Sequence, residues 1–378
     1  MKNIQASNYE IYDTYCIGID VHKPSWKLAI RFNGQELRRL SMDPSAEQLR
    51  HFVNRHYGQG RFVTVYEAGF TGFSTHRDLT DQGFENLVIH PADVPTTDKE
   101  KRRKTDKVDC RKLARFLEEY CRNPDPYTES RITPVWVPPA GAEALRDVFR
   151  LRDQLVNEQT RMKNRIWSFL DKWGMTVPAA DELPRWSRRF VEYLRSLEFD
   201  QPAARLVLDQ HLERLATLGQ QLLQVNRLLR EQCKAHGIWE VIEALRSRFR
   251  GVGWITAIGY CCELMDIHRF ANGDRLSSYL GLVPDVHGSG DYEQYKGVTS
   301  RCNQRLRRLL IEAAWVAARQ DEELHSCWRG YIRRMSKQKA IIRIARKLAL
   351  RMRKVWIELD PLPPNTQQQL HKTNNHVL

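Results

Sequence analysis

The stretch "YCIGIDVHKPSWKLAIRF", Tyr15 to Phe32, decides how the front of this chain folds. Its first half, "YCIGIDVHK", is a short apolar run that ends in polar residues. "SWKLAIRF" follows closely, as the second strand of a hairpin does. The first of these strands ends on Asp20, a carboxylate at the end of an apolar run. Further along, "SAEQLRHFVNRHY" has helical spacing, with Ser45 placed to cap its first turn. "RFVTVYEAG" is rich in strand formers (Phe62, Val63, Val65, Tyr66), reaches Glu67 and stops at Gly69. "THRDLTDQGF" reads as a helix and "ENLVIHPADV" as another strand. Strands separated by helices imply an α/β domain with a mixed sheet.

From Glu143 to about Gly174 the pattern changes. Leu145, Val148, Leu155, Met162, Ile166 and Phe169 fall on heptad-like spacing, and so do Leu208, Leu215, Leu218, Leu222, Val225 and Leu229. Two long helices joined by a Pro-containing crossing (Pro178, Pro184, Pro202) imply a helical hairpin or coiled coil. Arg150, Arg152, Arg161, Lys163 and Arg165 on the first helix read either as a solvated face or as an oligomer contact that also touches nucleic acid. The third part opens on "GVGWITAIGY" near Phe249 and passes through a Gly-rich loop, "GLVPDVHGSGDYEQYKG". It continues into a basic helix, "NQRLRRLLIEAAWVAARQ". "RGYIRRMSKQKAIIRIARKLALRMRKVW" reads as one basic amphipathic helix lying on a nucleic-acid backbone, and "PLPPNTQQQLHKTNNHVL" as a disordered tail.

The chain carries 60 Lys and Arg against 46 Asp and Glu, a net charge of +14. An excess of that size points to a polyanion partner rather than to a small-molecule enzyme. None of the eight cysteines forms a C-x-x-C pair, which argues against a zinc ribbon or finger. The expected setting is a reducing cytoplasm with free thiols and no membrane span.

The basic run "KTDKVDCRKLARFL" holds two aspartates three residues apart, Asp106 and Asp109. On a helix they lie one turn apart on one face. Two carboxylates at one spot repel unless a cation sits between them. Asp20 and Glu67, at the carboxyl ends of strands, can converge on the same point. Magnesium takes such oxygen ligands, and two ions about 4 Å apart clamp the attacking and leaving oxygens of a phosphodiester. Lys101, Arg102, Arg103, Lys104, Lys107, Arg111 and Lys112 would hold the backbone while the acids hold the metal.

"GIDVHK", "YEAG" and "KTDKVDCRKLAR" resemble the signatures of transposases of the insertion-sequence 110 (IS110) type. "GVGWITAIGYCCEL", "RLSSYLGLVP" and "NQRLRRLLIEAAW" resemble that family's second domain. The resemblance implies an α/β plus all-α protein in four parts. These are an RNase H-like (RuvC-like) catalytic domain over 1–140, a helical coiled-coil region over 141–240, a mainly helical C-terminal transposase domain over 241–358, and a disordered tail over 359–378. It places an Asp-Glu-Asp-Asp set for Mg2+ at Asp20, Glu67, Asp106 and Asp109. It also implies a serine that attacks DNA, which lands on Ser289 in "HGSGDYEQYKG", with Ser300 the runner-up. Ser277 and Ser278 read as helix residues.

Gly288 and Gly290 let backbone approach a phosphate, and Lys296, Arg301 and Arg305 would meet its charge. His287 reads as a base or as an exposed loop histidine. "GVGWITAIGY" reads either as a helix-hairpin-helix-like element presenting N–H groups to phosphate or as a tight interhelical turn. The resemblance further implies DNA as substrate, a structured noncoding guide RNA, and a homo-oligomer, tetrameric in form, working beside the prokaryotic nucleoid. A metal-dependent junction nuclease would need the four acids without Ser289. A noncatalytic binding protein would need only the basic surface.

Overall fold

The computed structural model describes residues 14–93, 110–122, 134–289, 292–299 and 301–360, with backbone alone for 285–289 and 292–298. The chain divides into two compact units, Met1–Val137 and Pro138–Leu378.

The first unit is built on a five-stranded mixed sheet. β1 (Thr14–Val21) runs antiparallel to β2 (Trp26–Phe32), as the hairpin reading expects. β2 pairs antiparallel with β3 (Gln35–Met42). The sequence reading passes over β3. It is an edge strand of largely exposed polar residues, so it lacks the apolar alternation that marks a half-buried strand. Its signal is the turn before it: Asn33 and Gly34 both take positive φ, at 48° and 82°, the pairing that a type I′ hairpin requires. α1 (Ala46–Tyr57) follows, with the Ser45 hydroxyl accepting from Gln48 N at 3.2 Å. β4 (Arg61–Glu67) and β5 (Glu85–Ile89) then add parallel strands around α2 (Ser74–Asp81). The strand order is β3-β2-β1-β4-β5.

Side chains alternate across the sheet with period two. Ile17, Ile19, Phe62 and Tyr66 face α1 and α2, packing with Leu49, Val53 and Leu79. Cys16, Val63 and Val65 face the other way, toward Leu113 and Leu117 of α3 (Cys110–Arg122). Gly18 lies on this second face. A methyl there would overlap Cys110 O and Ala114 N, so α3 rests directly on the backbone of β1. Glu118 ties the far end of α3 to the β2–β3 turn: its buried carboxylate accepts from Arg31 Nε at 2.8 Å, from Gly34 N and from Arg122 Nη2.

The second unit is helical apart from one β-ribbon. α4 (Ala140–Lys172) and α6 (Pro202–Ala235) are the two long helices. Arg152 bonds Asn226 and Phe169 meets His211, so they run antiparallel. Leu155, Met162, Ile166 and Leu170 pack on Leu208, Leu212, Leu215 and Leu218. The expected crossing holds a helix of its own, α5 (Arg188–Ser196), capped by the Ser187 hydroxyl. Pro202 sits in the first turn of α6, where its missing N–H costs nothing. The near ends of the long helices, through Leu145, Phe149, Leu229 and Cys233, join one core with all the later helices.

Those helices are α7 (Trp239–Arg248), α8 (Trp254–Leu264), α9 (Gly273–Tyr279), α10 (Gln304–Gln320), α11 (Glu322–Ile332) and α12 (Lys337–Leu359). Between α9 and α10 the expected Gly-rich loop is instead an antiparallel ribbon, β6 (Pro284–Ser289) with β7 (Tyr292–Val298). The expected single basic helix at the end is two, separated at Ser336, which caps α12. α12 is a core helix: Ile341, Ile344, Leu348, Met352 and Trp356 are buried. Several of its cations are spent internally, Arg346 on Asp274, Arg351 on Asp321 and Glu323, and Arg353 on Phe270 O, while Lys337, Lys339, Arg343 and Lys354 stay exposed. The tail beyond Asp360 lies outside the described residues. Among the described residues no helix is long and apolar enough to cross a membrane.

Replacing Gly18 by alanine should destabilise the first unit by about 3 kcal/mol or more, because backbone rather than a flexible side chain occupies the space. Thermal denaturation of the purified variant checks this. An unchanged midpoint would contradict the close packing of α3 on β1.

Candidate active site

β1 and β4 are parallel neighbours, and the register Ile19↔Tyr66 brings Asp20 and Glu67 side by side at their carboxyl ends. Period-two alternation puts both on the face that carries Cys16, Gly18, Val63 and Val65, the face covered by α3. The two acids line a cleft of about 130 Å³ with Ala68, Gly69, Phe70, Thr71 and Leu113 of α3. The ends of parallel strands are where α/β sheets place ligands.

The electrostatics of this cleft are unfavourable as they stand. Glu67 Oε1 is buried and has no hydrogen-bond partner among the described residues. Burial, and then the charge of Asp20, push the Glu67 carboxyl above its ordinary value. Asp20 Oδ2 is 3.0 Å from His22 Nε2. A buried carboxylate oxygen with no donor, beside a second carboxylate, suits a hard divalent cation, which takes oxygen ligands. Among the described residues no cluster of three or more metal-ligating side chains forms. Asp106 and Asp109 lie outside the described residues, as do Lys101, Arg102, Arg103, Lys104 and Lys107. Cys110, which follows Asp109 in the chain, is the first described residue of α3.

The remaining expected residues are dispersed. Arg111 donates from Nε to Glu36 at 3.1 Å, and Lys112 is half-buried. Ser289 closes β6 and pairs in register with Tyr292, and Gly288 and His287 precede it in the same strand. Lys296 lies in β7, and Ser300 and Gly290 are outside the described residues. Arg301 is exposed, its backbone N bonded to Thr299 Oγ1. Arg305 gives its Nε to Asp153 at 3.2 Å, where Arg308 also binds. Ser277 and Ser278 are in α9, and the Ser277 hydroxyl donates to Gly273 O and accepts from Arg346.

The first glycine of "GVGW" has a packing role: Gly251 takes φ +88°, and a methyl there would come within 2.5 Å of Ala313 O on α10. Trp254 stacks on Trp239 with ring centroids 5.0 Å apart, a half-buried core position.

Two residues at the cleft escaped the sequence reading. His22 stands two positions after Asp20, within "GIDVHK", and that adjacency was the available signal. Phe70 is 60% exposed at the rim, with Lys23 Nζ 5.8 Å above its ring. An exposed aromatic after a Gly has no periodic signature, so only the fold singles it out.

Two family models match the chain. One, described as the Transposase IS116/IS110/IS902 family, covers residues 244–329, and a DEDD-type IS110 transposase model covers residues 17–175. "Putative transposase y4rJ" of Sinorhizobium fredii is 32% identical over 303 residues, 76% of this chain and 74% of that protein. "Putative transposase y4qE" of the same organism is 29% identical over 304 residues, 79% and 71%. "Transposase for insertion sequence element IS1533" of Leptospira borgpetersenii is 25% identical over 358 residues, 91% and 96%.

The raised Glu67 value carries a sign. The folded state holds this proton more tightly than the unfolded chain. Its contribution to stability is therefore full below the unfolded value and is lost as pH rises through the folded one. In protein free of divalent ions, Glu67→Gln should flatten that part of the fall in thermal midpoint as pH rises above the ordinary carboxylate range. It should leave the variant more stable than the parent at neutral pH. Midpoints measured from acid to neutral pH with a chelator present check it, and a less stable variant at neutral pH would refute it.

Proposed function

The chain belongs to the IS110 family of transposases, and on that footing we propose that it cuts and rejoins the strands of a mobile DNA element through a serine–DNA covalent link, with acidic residues that bind Mg2+. One observation carries the reading: two acids from adjacent parallel strands share a cleft in which a buried carboxylate oxygen has no donor among the described residues. DEDD transposase domains generally use divalent metal ions. Asp20 and Glu67 would hold the ion from the strand ends. Asp106 and Asp109 would complete the set from the segment leading into α3, whose Leu113 lines the same cleft. When bound, the ion supplies positive charge to phosphodiester oxygens. His22 orients the Asp20 carboxylate through its 3.0 Å contact. Phe70 offers a stacking face to an unpaired base at the rim.

Ser289 is the proposed nucleophile. Its Oγ forms a bond to phosphorus as the bond from phosphorus to the departing sugar oxygen breaks. The serine gives up its proton and the departing oxygen takes one up, which leaves DNA linked through a phosphoserine. Attack by the hydroxyl of another strand reverses those changes and joins the DNA. Gly288 keeps the backbone beside the serine open to phosphate, and Lys296 and Arg301 neutralise charge there. The basic run Lys101–Lys107 with Arg111 holds the polymer. Exchange of strands needs several such sites, which fits a homo-oligomer, here a tetramer. A structured noncoding RNA would choose the DNA sequences, leaving the protein to grip backbone and shape.

Incubation with Mg2+, duplex DNA bearing the ends of the encoding element and RNA transcribed from its flanks should yield a protein–DNA adduct that survives denaturation. Ser289→Ala should abolish the adduct. Glu67→Gln or a chelator should lower cleavage by a factor of about 100 or more. Cleavage that persists in Ser289→Ala would instead favour a metal-dependent nuclease without a covalent intermediate.

A further inference from the structure

We infer that Glu263, with Arg150, Asn303 and Tyr279, is a positioning centre that aims the β6–β7 ribbon, and with it Ser289. This inference rests on the proposed role of that serine.

The ribbon is a sheet of two strands that pair only with each other among the described residues. A lone two-stranded ribbon has little rigidity of its own. Its direction is therefore set where it enters and leaves the helical core, and both places converge on one network. On the entry side, Tyr279 ends α9, and Gly281 and Leu282 fold back onto Ser278 O and Ser277 O. On the exit side, Asn303 N donates to Tyr279 O at 2.8 Å, which joins exit to entry directly. Gly281, at φ +65°, lies so close to Cys302 that a methyl would come within 2.5 Å of its Sγ. Arg307 Nη1 donates to Thr299 O at 2.8 Å, one residue beyond β7.

Glu263 sits behind this junction. It is on α8, its side chain is 0% exposed, and it receives a bidentate Arg150 pair at 2.8 Å and 2.8 Å. Asn303 Nδ2 donates to Glu263 Oε2 at 2.9 Å and lies 3.3 Å from the Tyr279 hydroxyl. The Asn303 Oδ1 accepts from Leu306 N and so caps α10. One amide thus fixes the start of α10 with one atom and the ribbon's exit with the other. Burial alone would raise the Glu263 carboxyl. Arg150, Asn303 and Arg146 hold it below its ordinary value, so it stays an acceptor. A buried charge with its hydrogen bonds filled specifies one geometry, since rotating Asn303 away takes one of the two donors from Glu263 Oε2.

The decisive variant is Asn303→Asp. It is nearly isosteric and keeps an oxygen to cap α10, but replaces the donor toward Glu263 with a second acceptor. The double variant with Glu263→Gln returns a donor to that contact and keeps the total charge. Single-turnover cleavage of the element-end DNA, with transcribed RNA and Mg2+ at saturation, should fall between about tenfold and a hundredfold in Asn303→Asp. Binding of the same DNA should stay within about twofold, and the double variant should recover to within about threefold of the parent. Tyr279→Phe, which removes only a hydroxyl, should show a smaller loss of the same kind and serves if Asn303→Asp does not fold.

A folded Asn303→Asp that cleaves at the parent rate overturns the inference. So does a loss that merely follows the unfolded fraction and is not restored by the double variant. Ser289→Ala is run alongside: if it still forms the adduct, the serine reading itself fails and this one falls with it. If it is inert while Asn303→Asp is normal, only the positioning role is lost.

Discussion

The absence of a side chain at Gly18 governs the first unit. It lets α3 lie on the backbone of β1, and that contact decides which face of the sheet is capped and how far the cap reaches. Asp20 follows two residues later on the same face, and Glu67 stands beside it on β4. Glu118 holds the other end of the helix through Arg31 and the β2–β3 turn. With both ends tied, the first turn of α3 arrives at the acids in one orientation, and Leu113 forms part of their cleft wall.

That packing explains why the cleft is electrostatically unfavourable. Covering the strand ends removes water from Glu67 Oε1, and among the described residues no donor replaces it. Folded proteins rarely leave a buried carboxylate oxygen without a partner, because desolvation is uncompensated. Strain of this sort concentrates where a ligand is meant to relieve it. The helical unit shows the opposite arrangement at Glu263, where a fully buried carboxylate is matched by Arg150 and Asn303. One unit thus holds a carboxylate unsatisfied, while the other holds one satisfied at the root of a ribbon.

The basic charge is also divided by use. Arg305, Arg308, Arg346 and Arg351 read in the sequence as part of a cationic surface, yet each meets an acid from a distant helix. Such pairs fix helix packing, and they leave fewer cations to meet a polyanion than the net charge suggests. The tail of α12 shows why a basic amphipathic pattern is ambiguous. The same spacing describes a helix lying on a nucleic-acid backbone and a core helix whose arginines reach its neighbours.

Local periodicity was enough to read β1, β2, β4 and β5, the cap at Ser45, the two long helices, and the acids at the ends of two strands. These follow from alternation, from 3.6-residue spacing and from the chemistry of single residues. β3 escaped because an edge strand need not alternate, and the β6–β7 ribbon because its glycines resemble a loop. The break at Ser336 hid inside a continuous basic pattern. What only the tertiary structure decided was which charges meet. The missing donor at Glu67, the filling of Glu263 and the partners of the arginines depend on residues dozens to more than a hundred positions apart. No short-range pattern carries that information, because desolvation and pairing exist only once distant segments are brought into contact.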